Sequence, residues 1–246
     1  MSGHSKWSTI KRKKEGIDAA RGKVFTKIGR EIQVAVRAGG PDPNSNSKLR
    51  DLIAKAKANN VPNDNIERCI KKAAGEGDKD TFETIFYEGY GPCGIAVIIE
   101  SLTDNRNRTA GDIRHYFDKY GGNLGQNGCV SFMFDQKGVI VVEDETLDED
   151  KLMEDVMEAG GDDFKYEDGV AEIFTAPGDL SAVRDALEGL GYAFTSAEIE
   201  YLPQTMSAID DPDMAVKMGK LLDMLEDNDD VQNVWHNWDC PDEDED

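Results

Sequence analysis

The sequence predicts an α+β protein with an N-terminal three-helix bundle followed by two α/β domains, one of them ferredoxin-like and inserted in the other. Two observations support this prediction. Apolar residues recur every three or four positions up to about residue 74, and beyond it they alternate or form short runs, which marks a change from a helical to a strand period. The net charge changes at the same place, from +10 over the first 74 residues to −32 over the rest of the 246-residue chain.

The basic segment is predicted to form three amphipathic helices. The first begins at about Arg21 and ends at Gly39-Gly40, where two glycines are followed by a proline. The second covers residues 47–59. The third begins near Asp64, with Glu67 three residues later as in a capping box. Three short helices of this kind make one small bundle.

The segment from 137 to 203 is predicted to fold as a ferredoxin-like unit. Its strands and helices follow the order β-α-β-β-α-β, with a tight turn at Asp168-Gly169 between the two middle strands. That order is the split βαβ arrangement.

The segments on either side of this unit are predicted to form one discontinuous domain. Before it come a buried strand at 95–99, a helix at 109–120 and a strand at 130–134. After it come a helix at 212–225 and a strand at 231–235, which are too small to fold alone. The predicted domains are therefore a basic helical domain (1–78), a discontinuous α/β domain (79–136 plus 204–240), the ferredoxin-like domain (137–203) and an acidic tail (241–246).

Several classes of protein are excluded by composition. The four cysteines are far apart and only three histidines are present, which predicts neither a zinc site nor a disulfide framework. No stretch approaches 18 uncharged apolar residues, so we expect a cytoplasmic protein with no membrane partner.

Motifs of catalysis are also missing. The chain has no GxSxG, no HExxH and no P-loop lysine, and its glycine-rich segments are interpreted as turns. Acidic pairs such as Asp229-Asp230 are interpreted as solvated or capping residues. We therefore predict no enzyme activity, no catalytic residues, no metal and no cofactor.

The basic segment predicts contact with nucleic acid. Phosphate binding needs several cations on one face, because each contact releases counterions and the gains add. Trp7 could stack on a base, or it could instead pack on the bundle core. A second interpretation of the whole segment is that it docks on the acidic body of the same chain. The candidate residues are Lys6, Trp7, Lys11, Arg12, Lys13, Lys14 and Arg21, followed by the helical stripe Lys23, Lys27, Arg30 and Arg37.

A secondary anion-binding candidate lies in the acidic body. Arg106 and Arg108 precede the predicted helix at 109–120, and a helix N-terminus flanked by guanidinium groups favours anions. The alternative is that both arginines pair with carboxylates of the same domain.

Five ordered segments of the sequence resemble the signature segments of the YebC family, which includes the mitochondrial translational activator of cytochrome c oxidase subunit I. The likeness extends over essentially the whole chain. Two small departures are Cys93, where the pattern usually has glycine, and Cys129, where serine is common. The segments are Gly3-His4-Ser5-Lys6-Trp7, Arg21-Gly22-Lys23-Val24-Phe25-Thr26-Lys27, Tyr87-Glu88-Gly89-Tyr90-Gly91-Pro92, Asp104-Asn105-Arg106-Asn107-Arg108-Thr109 and Gly121-Gly122-Asn123-Leu124-Gly125.

The resemblance implies a three-domain, cytoplasmic, non-enzymatic factor that acts in gene expression. Many bacterial members carry the label of DNA-binding transcriptional regulator, whereas the mitochondrial relative and some bacterial ones act on translation at the ribosome. The partner is therefore expected to be nucleic acid, either DNA or ribosomal RNA. A protein-interaction adaptor that uses the acidic body is a further alternative. No heptad run or other dimer seam is evident in the sequence, so we expect a monomer.

Overall fold

The computed structural model describes residues 17–75 and 82–240, with side chains in the first helix from Gly22 onwards. The described residues form an α+β structure with two four-stranded antiparallel sheets, which confirms the predicted fold class. They divide into two compact units. The first combines residues up to Ser131 with Ile209–His236, and the second contains Phe132–Ala208 and the residues from Asn237 onwards.

The secondary-structure elements of the described residues are numbered in chain order. The helices are α1 (Ile17–Gly39), α2 (Ser47–Ala58), α3 (Asn63–Ala74), α4 (Arg106–Tyr120), α5 (Glu149–Ala159), α6 (Leu180–Gly189) and α7 (Pro212–Asp227). The strands are β1 (Glu83–Tyr90), β2 (Ala96–Thr103), β3 (Asn123–Leu124), β4 (Phe134–Glu143), β5 (Asp163–Glu167), β6 (Val170–Thr175), β7 (Ser196–Pro203) and β8 (Val231–His236).

The three N-terminal helices enclose an apolar core made by one face of each helix. Ile32, Leu49 and Ala56 are almost completely buried there, in agreement with the helical period of the sequence. Asn46 caps α2 by accepting the Leu49 N–H, and its amide nitrogen donates to the Ala35 carbonyl. This single side chain therefore joins the end of α1 to the start of α2.

The capping box predicted for the third helix is wrong. The N-cap position of α3 is Pro62, which makes no side-chain capping hydrogen bond, and Glu67 pairs with Lys71 one turn later. Proline has no side-chain oxygen that could accept a backbone N–H, so this helix begins without a side-chain cap.

The first sheet has the strand order β3-β1-β2-β8, and β8 pairs antiparallel with β2. The C-terminal strand therefore completes the sheet that β1 and β2 begin. Helices α4 and α7 pack against each other, and Ile99, Ile113, Phe117 and Leu225 are fully buried in this unit.

Two glycine-rich segments meet at one edge of this sheet. Residues 123–124 form β3, which pairs with Gly89 and Tyr90 of β1. A Cβ on Gly122 would lie only 2.6 Å from the Tyr90 carbonyl oxygen, and one on Gly91 would lie 2.6 Å from Met218 Sδ. Glycine is thus needed at position 122, where the backbone passes too close to another backbone segment for a side chain, whereas at position 91 the Met218 side chain would have to move.

The second unit has the ferredoxin-like topology that the sequence predicts. Its strand order is β5-β6-β4-β7, which is the order of a split βαβ fold, and α5 and α6 pack against each other. Its core includes Ile140, Leu152, Ile173 and Leu187. The turn at Asp168-Gly169 has positive φ at both residues, as a two-residue hairpin requires.

The strand predicted at 130–134 is wrong. Ser131–Met133 form a single 3₁₀ turn, and the strand that follows, β4, begins only at Phe134. The reason is a distant side chain: the N–H groups of Val130 and Ser131 donate to the Glu88 carboxylate instead of to a neighbouring strand. Strand β1, by contrast, was not identified from the sequence.

The Glu88 carboxylate organises the loop that leads from β3 to this turn. Its oxygens accept hydrogen bonds from the backbone N–H groups of Gly128, Val130 and Ser131 at 2.8–2.9 Å. Burial would raise the pKa of Glu88, but these hydrogen bonds dominate and lower it below its ordinary value of 4.5. The side chain is therefore a buried anion that satisfies three backbone donors.

Among the described residues, no helix combines the length and the apolar character needed to cross a membrane.

Candidate nucleic-acid interface

Two lysines of the predicted cationic stripe contact the C-terminal end of α7 in the same unit. Lys23 Nζ lies 2.7 Å from Asp227 Oδ1, and Lys27 Nζ donates to the Glu226 carbonyl oxygen at 2.8 Å. A helix C-terminus carries unsatisfied carbonyl groups and partial negative charge, which cations neutralise. Lys23 and Lys27 are therefore engaged by the acidic part of their own chain.

Arg30, the next cation of the stripe, contacts two acidic residues and an aromatic ring. Its Nη1 atom donates to the Asp229 carbonyl oxygen at 2.7 Å and to Asp230 Oδ1 at 2.8 Å. Its guanidinium group also lies over the Phe82 ring, 5.5 Å from the centroid. These contacts match the second interpretation of the basic segment, in which the segment docks on the acidic body.

Asp230 is the centre of this contact. Besides Arg30, its carboxylate binds Arg108 Nη2 at 2.8 Å, and the hydroxyl groups of Thr109 and Thr103 lie 2.7 and 3.2 Å from Oδ2. Burial alone would raise the pKa of Asp230, but the hydrogen bonds from Arg108, Thr109 and Arg30 hold it below its ordinary value of 3.8. The sequence interpretation of Asp230 as a solvated residue is wrong, because it is 4% exposed and accepts from two arginines.

The two arginines of the secondary anion-binding candidate differ in their contacts. Arg108 pairs with Asp104 and Asp230, and its hydrogen bonds to Asp230 and Asp104 raise its pKa. This is the intramolecular alternative stated for it. Arg106 is exposed at the first position of α4, and within the described part of the chain it makes no hydrogen bond or ion pair.

The remaining candidates are placed as follows. Arg37 is exposed in the last turn of α1. Arg21 lies in α1, but its side chain is not among those described. Lys6, Trp7, Lys11, Arg12, Lys13 and Lys14 lie outside the described residues. None of these positions is tested by the structure, and their contact with nucleic acid stays a prediction.

A further cationic surface lies on α3, and the sequence candidates did not include it. Arg68, Lys71 and Lys72 line an open depression of about 540 Å³ together with Asp64 and Glu67. Arg68 Nη2 donates to Asn65 Oδ1 at 3.0 Å, and Lys71 pairs with Glu67 at 3.2 Å, so these contacts stay within α3. The signal that could have revealed this surface is the spacing of 68, 71 and 72, which places three cations on neighbouring turns of one helix.

The described residues contain no group of three or more histidine, cysteine, aspartate or glutamate side chains that could hold a metal ion. Of the cysteines, Cys69 lies beside this cationic surface. Burial raises the pKa of its thiol, while Arg68 and Lys72 oppose that shift. The thiol therefore stays protonated at neutral pH and adds no negative charge there.

The sequence matches two family models that together cover most of the chain. Residues 5–76 match the TACO1/YebC protein N-terminal domain, and residues 82–238 match the TACO1/YebC second and third domain. The chain belongs to the TACO1/YebC family. This confirms the resemblance found in the signature segments.

Two similar members of the TACO1/YebC family match the chain over nearly its whole length. A "probable transcriptional regulatory protein" of Acetivibrio thermocellus is 60% identical over 239 residues, which cover 97% of this chain and 99% of the relative. A protein of the same description from Ruminiclostridium cellulolyticum is 59% identical over 246 residues, covering 100% of this chain and 99% of the relative.

A solved structure shares the fold of the TACO1/YebC chain described here. The crystal structure of a conserved hypothetical protein, Aq1575 of Aquifex aeolicus, matches with a TM-score of 0.83 and 46% identity. The match covers 94% of this chain and 95% of that chain.

Proposed function

We propose that the protein regulates gene expression by binding nucleic acid through cations of residues 1–78, without catalysing a reaction. The observation that carries this proposal is the cationic surface of α3, where Arg68, Lys71 and Lys72 lie together. Contacts of Arg68 and Lys71 stay within their own helix, and Lys71 keeps 78% of its side chain exposed. Cations that remain at the surface in this way can exchange counterions for phosphates.

The cations of the α1 stripe could bind phosphate only by giving up contacts within the chain. For Lys23, Lys27 and Arg30 to bind phosphate, nucleic acid would have to replace Asp227, Asp230 and two backbone carbonyl groups. The N-terminal cations at positions 6 and 11–14, with Trp7, are proposed as a second contact region. The names of the relatives, probable transcriptional regulatory proteins, support a regulatory role. We propose that this role is exercised in the cytoplasm.

Neutralising Lys71 and Lys72 by the double substitution Lys71→Gln/Lys72→Gln is expected to weaken nucleic-acid binding by the full-length protein. Each phosphate contact contributes about 0.7–0.9 to the slope of log K against log salt concentration, so the loss of two contacts should reduce the slope by about 1.4–1.8. Fluorescence anisotropy with a labelled oligonucleotide at four or five salt concentrations measures this slope.

The matched control for this experiment is Lys217→Gln/Lys220→Gln. These two exposed lysines lie on α7 of the same unit, so the control removes the same charge from a helix of the acidic body. Its salt slope should equal that of the wild type. Equal slopes for the α3 variant and the wild type would exclude α3 as a phosphate-binding surface.

Action on ribosomal RNA is a second candidate function. A DNA regulator commonly dimerises to match paired half-sites, and the exposed faces inferred for the acidic body would repel a second copy. On a ribosome, the basic segment could hold RNA while acidic surfaces face basic ribosomal proteins. This argument favours the ribosome over a specific DNA operator.

We expect the protein to discriminate less than 10³-fold between genomic fragments and random DNA, because a single short basic face makes few contacts with base edges. It should also co-sediment with ribosomes from gently lysed cells. Selection of one genomic site by 10³-fold or more, without ribosome co-sedimentation, would establish the DNA-binding alternative.

A further inference from the structure

A groove between α1 and α3 adjoins the cationic surface of α3. It encloses about 340 Å³, within the lower range of ligand-binding cavities. Two aromatic side chains, Phe25 and Phe82, line it, as do the amide side chains of Gln33 and Asn65. Arg68 and Lys72 line both this groove and the depression on α3, so the two features form a continuous surface.

Gln33 lines this groove and carries an unused hydrogen-bond acceptor. The residue is 9% exposed, and its Oε1 atom is buried without a hydrogen-bond partner. A buried acceptor that stays unsatisfied is destabilising, so such atoms call for an explanation. A ligand that carries an N–H group into the groove would satisfy it once the Gln33 amide turns towards the groove.

The charges and rings of the groove restrict the chemistry of that ligand. Arg68 and Lys72 supply positive charge. The Arg30 guanidinium, which is paired with Asp230, is held over the Phe82 ring. Aromatic rings bind flat π-systems, and neighbouring cations bind phosphate. A nucleotide combines a flat base, N–H donors and a phosphate in one unit.

We infer that this groove binds one unpaired nucleotide of a single-stranded nucleic acid, with an N–H of the base donating to Gln33 Oε1, the base against Phe25 and the phosphates at Arg68 and Lys72. The strand must be unpaired because, in a duplex, the N–H groups of the Watson–Crick edge are already used and the bases are stacked. This inference rests on the proposed function and specifies the form of nucleic acid that is bound.

The test compares binding of single-stranded and duplex probes to the full-length protein. The probes are an oligouridylate and an oligothymidylate of about 12 nucleotides, a length within the range of single-strand sites, and their duplexes with complementary strands. Phe25→Leu is expected to weaken binding of the single strands roughly tenfold by removing the stacking ring. Gln33→Met, which keeps the side-chain length but not the acceptor, should weaken it about three- to tenfold. Both variants should bind duplexes as the wild type does.

A modified probe tests the proposed hydrogen bond directly. An oligomer of N3-methyluridine lacks the base N–H, so the wild type should bind it about as weakly as Gln33→Met binds the unmodified strand. The loss should not increase when the modified probe and the variant are combined, since both remove the same interaction. Comparing the RNA and DNA strands decides which sugar the groove accepts.

Phe132→Leu serves as the matched control, because this ring is 69% exposed and lies outside the groove. Circular dichroism and thermal melting confirm that each variant is folded. If Lys71→Gln/Lys72→Gln loses binding while Phe25→Leu and Gln33→Met bind single strands normally, the groove inference is wrong and the proposed function stands. If the wild type binds neither single strands nor duplexes, both are wrong.

Discussion

Asp230→Asn is expected to lower the free energy of unfolding by about 3 kcal/mol, the lower end of the range for removing one partner of a buried ion pair. The substitution leaves the Arg30 guanidinium, whose side chain is only 19% exposed, without its charged partner. Arg108 keeps Asp104 and has a half-exposed side chain, so it adds less to the loss. Urea unfolding of the full-length protein, followed by circular dichroism, measures the change.

Asp229→Asn is the matched control for this prediction. Asp229 is the exposed neighbour of Asp230, and Arg30 binds its backbone carbonyl group, which the substitution keeps. The control should change stability by no more than about 0.5 kcal/mol. Equal stabilities of the two variants would mean that the Asp230 carboxylate does not hold this unit together.

The loss of stability caused by Asp230→Asn should become smaller as the pH is lowered. The pKa of Asp230 is lower in the folded chain than its ordinary value of 3.8, so folding favours the ionised form. Its contribution is complete above about pH 5 and is lost as the pH falls through the folded-state pKa. The stabilities of the wild type and the variant should therefore converge in acid and differ fully at pH 7.

Asp230→Asn also separates the two cationic surfaces of the N-terminal helices. If α3 and the groove bind nucleic acid, the folded variant should bind it with the wild-type affinity, because Arg68, Lys71 and Lys72 are unchanged. If the α1 stripe binds nucleic acid, freeing Arg30 from Asp230 should increase the affinity. Anisotropy titrations at 15 °C, where the variant stays folded, distinguish these outcomes.

Glu88→Gln is expected to lower the free energy of unfolding by about 3 kcal/mol as well. The wild-type carboxylate accepts three backbone N–H groups, whereas the amide directs its own donors at some of them. Hydrogen bonds to a charged group contribute about 1.5–3 kcal/mol each, and an unsatisfied buried N–H adds a further cost. Thermal melting should show the loss, and hydrogen exchange should show faster exchange at Gly128, Val130 and Ser131.

Glu83→Gln provides the control on the same strand, because Glu83 is exposed at the start of β1. It should melt within a degree or two of the wild type. Since the pKa of Glu88 is lowered on folding, the difference between Glu88→Gln and the wild type should be largest at neutral pH and shrink below about pH 4.5. A Glu88→Gln protein as stable as Glu83→Gln would contradict the proposed role of the carboxylate.

Most of the fold could be predicted from the sequence because it follows from periodicity. The helical spacing of apolar residues from Val24 to Val36 and the order of elements between 137 and 203 are local patterns that survive in the structure. The segment at 130–134 is different. Its apolar residues resemble a strand, but a carboxylate some 40 residues earlier takes the N–H groups that a strand would need.

The candidate site was less predictable because the position of a charged residue in the sequence does not reveal which residue it pairs with. Lys23, Lys27 and Arg30 form a regular stripe in the sequence, yet their partners lie about 200 residues later in the chain. Asp230 was indistinguishable from other members of acidic pairs until its burial was known. The unpaired acceptor of Gln33 likewise depends on packing that no local pattern describes.

The late position of Asp230 in the chain has a consequence for biosynthesis. Arg30 and Asp230 are 200 residues apart, so a ribosome that adds 5–20 residues per second needs roughly 10–40 s to supply the acceptor after the arginine has been made. Strand β8, which completes the first sheet, also emerges after the other three strands of that sheet. The ferredoxin-like unit, whose strands are contiguous in sequence, can form before them. During translation the cations of α1 in each new molecule therefore spend tens of seconds without their acidic partners, beside a particle made largely of RNA.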